Sequence, residues 1–153
     1  MLAYKSLKKF TLTIYSSAII LIFISYINGL GCRNTTRHLI TEYEIYSTCN
    51  SGVATVRLTG KNKPSDILFE MKGYFFTLFN HQIVYIADWN QTDVKKTLPS
   101  PFYITFSNNL FLHSSVNRFN SKWIGVHMDV PINLSYIAEI EGYLSLQDRF
   151  NLN

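Results

Sequence analysis

Apolar residues in most of this chain recur at every second position, and that period restricts the fold more than any other feature. Ala54, Val56 and Leu58 alternate with Thr55, Arg57 and Thr59, and Ile67, Phe69 and Met71 with Leu68, Glu70 and Lys72. Phe102, Ile104 and Phe106 alternate with Tyr103, Thr105 and Ser107. Ile124, Val126, Met128 and Val130 share one face, opposite Trp123, Gly125, His127 and Asp129, and Ile132, Leu134 and Tyr136 follow. Side chains two apart in an extended strand point to the same side, so each run has one face to bury and one to leave wet. Asn50-Ser51-Gly52, Gly60–Ser65, Asn80-His81, Pro99–Pro101, Asn108-Asn109 and Asn120-Ser121 separate the runs with turn-forming residues. Short strands so spaced, rich in Val, Ile, Tyr, Phe and Thr, read as an antiparallel sandwich or barrel. After the first 31 residues no helix of three turns is expected.

A different pattern opens the chain. Lys5, Lys8 and Lys9 precede Phe10–Ile27, 18 residues without a charge, and Gly29 and Gly31 flank Leu30 just before Cys32. A basic flank, an apolar middle and a small-x-small exit are the parts of a secretory signal peptide. The expected division is therefore a signal peptide at 1–31 and a single domain at 32–153, secreted or held at the extracellular surface. Two alternatives stay open. The segment reaches the lower length limit for a bilayer span, so an uncleaved helix would anchor the chain. Leu30-Gly31-Cys32 also resembles the end of a lipobox, in which case Cys32 carries lipid. Contact with a membrane is expected only under those two alternatives.

Charge narrows the partners. The net charge of the 153-residue chain is +4, from 14 basic and 10 acidic residues. Three of the basic residues and none of the acids lie in the leader, so the rest carries +1. That balance leaves no basic footprint for nucleic acid. Cys32 and Cys49 would form a disulfide in an oxidising compartment; if Cys32 is lipidated, Cys49 stays free. Asn34-Thr35-Thr36, Asn90-Gln91-Thr92 and Asn133-Leu134-Ser135 match the glycosylation pattern, making Asn34, Asn90 and Asn133 candidate acceptors.

Catalytic signatures are missing from the sequence. His38, His81, His113 and His127 are scattered and show no zinc spacing. There is no G-x-S-x-G elbow and no phosphate-cradling glycine loop. Glu139 and Glu141 share a strand face, but two acids on an exposed edge are ordinary solvated charge. A non-catalytic role without metal or cofactor is the reading.

The order of strands Ile104–Asn109, Leu110–Arg118, Trp123–Val130 and Ile132–Ile137, closing on Leu134-Ser135-Tyr136-Ile137, resembles the last strands of galectins. Upstream, Ser65–Phe75 is similar to the galectin strand D-I-x-x-H-x-N-x-R-F, with Val53–Gly60 and Ile40–Ser47 before it. The similarity covers roughly residues 40–137. It implies an antiparallel β-sandwich of the jelly-roll, concanavalin-type class. It also implies a ligand site on the concave face, carried by Glu70, Lys72 and Tyr74 where galectins have His, Asn and Arg, with Trp89 as the stacking residue. The resemblance thus points to a secreted lectin-like binding module for a glycan or cell-surface ligand. The alternative is a β-sandwich interaction protein that has lost sugar binding and grips a protein partner.

Overall fold

The computed structural model describes residues 2–40, 43–60, 63–91, 110–130 and 133–150. Helix α1 (Leu2–Leu30) is followed by strands β1 (Arg33–Leu39), β2 (Tyr43–Asn50), β3 (Val53–Gly60), β4 (Lys63–Leu78), β5 (His81–Gln91), β6 (Phe111–Arg118), β7 (Trp123–Val130) and β8 (Leu134–Tyr143), and by one turn of helix, α2 (Leu146–Arg149). Every strand pairs antiparallel with its neighbour in sequence, and the sheet closes into one barrel.

Closure overturns the expected sandwich. β1 pairs along one edge with β2, from Arg33 opposite Asn50 to Leu39 opposite Glu44. Along its other edge it pairs with β8, from Arg33 opposite Tyr143 to Arg37 opposite Glu139. A sandwich needs two separate sheets facing each other, whereas here all eight strands form one sheet wrapped on itself. The alternation of period two is the same in both architectures. Sheet curvature distinguishes them, and irregular pairings supply it here. The register shifts between Leu58 and Thr59, between Lys72 and Gly73, and between His113 and Ser114. Each irregularity adds bend and twist, which lets a sheet coil far enough to close.

The described turns follow from local chemistry. Ser51 and Gly52 have φ of 50° and 81° and join Asn50 to Val53, its partner across the ladder, which is the two-residue hairpin geometry that matches strand twist. Before β7 the Asn120 side-chain carbonyl accepts from the backbone N–H of Lys122 and of Trp123, at 2.8 and 2.9 Å, and forms the turn itself. These turns, with that at Phe79-Asn80, lie at the end of the barrel where β1 begins and β8 finishes, here called the floor. The opposite end is the mouth. The alternation expected for Phe102–Phe106 falls outside the described residues.

The packed core lies toward the floor. One cluster joins Val116, Ile124, Val126, Ala138 and Ile140, with Tyr136 and Leu144 against it. A second joins Cys32, Cys49, Ala54 and Phe75. Cys32 and Cys49 are disulfide-bonded, with Cα atoms 5.6 Å apart, so the link ties the entry to β1 to the end of β2. The pairing expected from the two-cysteine count is present. An eight-stranded barrel is just wide enough for its own side chains to fill, and here they fill only the lower part.

Candidate functional site

Above the core the lumen is hollow, with a cavity of about 140 Å³. Inward-facing positions of every strand line it. Nearer the mouth stand Ile45, Leu58, Phe69, Trp89 and Met128, and Val56, Met71, Leu112 and Val126 lie below them. A sparse polar set interrupts this surface: Asn34, Thr36, Ser47, Thr48, Gln82 and Ser114. Thr36 and Ser47, opposite each other on β1 and β2, hydrogen-bond through their hydroxyls. None of the described lining residues carries a charge. Tyr136 also lines the cavity, and burial pushes its phenol up from 10.0 to about 12. Its ring lies 4.4 Å from that of His38, whose Nδ1 is 2.8 Å from the Ile137 carbonyl. The site is thus a mostly apolar pocket with a few hydroxyl and amide groups.

The four expected ligand residues do not converge. Glu70, Lys72 and Tyr74 share one face of β4, as the alternation requires, but that face is the outer wall. Met71 and Phe75, which alternate with them, point inward and are buried. Glu70 accepts a hydrogen bond from Arg57 Nε at 2.9 Å and meets Lys72 Nζ at 3.2 Å, so one carboxylate bridges two cationic side chains. Burial raises the Glu70 pKa, but the hydrogen bonds and charges of Arg57 and Lys72 outweigh it and hold the carboxyl below its usual range. Trp89 is on the opposite side of the sheet. It stands across from Met71 in register and lines the cavity near its mouth, 46% exposed. The irregular pairing causes the separation. Lys72 faces Asp88 while Gly73 faces Ile86, so β5 holds one extra residue at Ala87. An odd insertion inverts the alternation, and Val84 and Trp89, five apart, both face the lumen.

The glycosylation candidates also separate by face. Asn34 lines the cavity, and its side-chain amide donates to the Tyr143 carbonyl at 2.9 Å. Asn90 and Asn133 are exposed. On the outer wall, Asp129 meets two imidazoles, His113 Nδ1 at 3.1 Å and His127 Nε2 at 3.0 Å. His127 Nδ1 in turn lies 2.7 Å from Ser135 Oγ. Among the described residues no group of three or more histidine, cysteine or carboxylate side chains is arranged to hold a metal.

Sequence reasoning missed the lumen. Its one readable signal was the small polar residues at inward positions, such as Ser47 and Ser114, where a solid core would use Val or Leu. Compared with protein-family models, curated proteins and solved structures, the chain matches none.

Proposed function

We propose that this chain is an exported, non-catalytic binding protein that takes a small, neutral, apolar molecule into the barrel lumen. The uncharged, largely apolar lining of the cavity carries this reading. Burying an ionised carboxylate or ammonium without a partner costs several kcal/mol, which disfavours charged ligands, while hydroxyl or carbonyl groups could bond to the amide and hydroxyls present. Cavities of roughly 150 Å³ accommodate a molecule the size of benzene, so a single ring or a short chain is the fitting size. Export is supported by the apolar N-terminal helix and the disulfide.

Calorimetric titration with indole, p-cresol and hexanol, against hexanoate as the charged counterpart, tests the reading. Saturable binding of the neutral compounds is expected, with hexanoate much weaker and Ser114→Phe abolishing the response. Absence of binding by the folded wild type, or an unchanged response in Ser114→Phe, removes it.

A second reading rests on the outer wall. Tyr74 stands opposite Tyr85, and Tyr85 opposite Phe111, so three aromatic rings, each about half exposed, form a row across β4, β5 and β6. Lys72, Asp88 and Asn90 lie on the same wall. An exposed aromatic row beside polar groups suits a glycan or a cell-surface protein. Loss of glycan-array binding in Tyr85→Ala and Lys72→Ala, with Trp89→Ala unaffected, would support it. No array binding by the wild type excludes the glycan.

A further inference from the structure

Helix α1 does two different things along its length. Every residue from Phe10 to Ile24 is exposed. The last turn, by contrast, is built into the barrel floor. Tyr26 packs its ring 5.5 Å from that of Phe76. Asn28 donates from Nδ2 to the Thr77 carbonyl at 3.1 Å, and its Oδ1 accepts from the Gln147 N–H at 2.9 Å. One α1 side chain therefore holds both β4 and the start of α2. Gly29 and Gly31, the small residues that in a leader mark the exit, are both buried. A Cβ on Gly29 would lie 2.3 Å from the Phe75 carbonyl oxygen, and one on Gly31 would lie 2.4 Å from the Leu146 nitrogen. The pair is explained by close approach of backbone.

We infer that α1 is retained in the mature protein and spans a phospholipid bilayer, with the barrel floor resting in the outer interface and the mouth facing away from the membrane. The segment Phe10–Leu30 is 21 residues long with a mean hydropathy of 2.0. At about 1.5 Å per residue it approximates the roughly 30 Å hydrocarbon core. The free stretch up to Ile24 supplies only about 22 Å, so the floor must sink into the interfacial layer to close the difference. Its surface suits that position. Val53, Phe79, Phe119, Trp123, Tyr143 and Phe150 are all exposed there, Phe79 by 73%. Arg33, Lys122 and Arg149 are exposed among them, and Asp148 is paired with Arg118 at 2.9 Å. Aromatic rings and basic side chains are the residues that settle at a membrane interface. Lys5, Lys8 and Lys9 before the span fix the other end in the cytoplasm, and the disulfide fits the outside. This inference is independent of what the lumen binds.

The full chain, expressed from its own first residue with a C-terminal tag in cells that export it, provides the test. Alkaline carbonate should leave it in the membrane pellet, and its intact mass should include residues 1–31. Release by carbonate, or a mass that begins at Cys32 or near it, overturns the inference. Orientation is read from the chain's two tryptophans, which lie at opposite ends of the barrel. In vesicles of phosphatidylcholine brominated high on the acyl chain, Trp89→Phe leaves Trp123 at the floor and should be strongly quenched. Trp123→Phe leaves Trp89 near the mouth and should not be quenched. Trp123 quenched no more than Trp89 rules out a floor-down barrel.

Discussion

Gly142 shows how much can depend on one missing side chain. It lies on the seam between β8 and β1, opposite Asn34, with φ of +98°, and a Cβ there would be 2.0 Å from the Arg33 carbonyl oxygen. Gly142→Ala should cost about 2 kcal/mol, from the disfavoured backbone region plus the clash. Denaturant unfolding measures the loss, and amide exchange should quicken at Thr35–Arg37. Glu70 gives a pH-dependent prediction. Its folded pKa lies below the ordinary 4.5, so its contribution is present above that value and is lost as pH falls through the lowered one. Arg57 and Lys72 are partly exposed, which limits the contribution to under about 1 kcal/mol. Glu70→Gln should therefore lower stability slightly at pH 7, and it should flatten the acid limb of the stability–pH curve below pH 4.5. An acid limb identical to wild type would mean that the carboxylate contributes nothing.

At the scale of elements, strand β1 is the most informative. Its inward residues Asn34, Thr36 and His38 are polar, so no apolar alternation announces a strand, yet it pairs along both edges. What fixes its start is covalent. The Cys32–Cys49 bond, across a separation of 17 residues, tethers it to β2. Replacing both cysteines by serine should cost roughly 3 kcal/mol, chiefly because the unfolded chain regains freedom. Reductant added to the wild type should lower the unfolding midpoint by a similar amount and leave the double variant unmoved. α2 is another element without a period to announce it. Ser145 accepts at 3.0 Å from the Asp148 N–H, and Asp148 in turn accepts at 2.8 Å from the Leu144 N–H, so one helical turn is capped by its own residues.

For the molecule as a whole, seven of the eight strand pairings among the described residues join neighbours in sequence, and one does not. Arg33 meets Tyr143 across nearly the whole barrel sequence. Closing so long a loop costs entropy that only the finished seam returns, and such long-range pairings slow folding. In pulse-labelled exchange during refolding, Thr35–Arg37 and Glu139–Glu141 should gain protection last. Simultaneous protection with the β2–β3 hairpin would show that closure is not the late step.

The sequence by itself determined which residues share a face within most of the strands, and it named the cysteine pair. β7 is the clearest case. Ile124, Val126 and Met128 point in, and Trp123 and His127 point out, because a period of two is a local property of extended backbone. Only the tertiary structure decided that the strands close into a barrel, that Glu70, Lys72 and Tyr74 lie outside while Trp89 lies within, and that Gly29 and Gly31 pack against the floor. Each of those outcomes depends on long-range pairing or on one extra residue in a strand, and neither changes the local alternation from which a sequence is read.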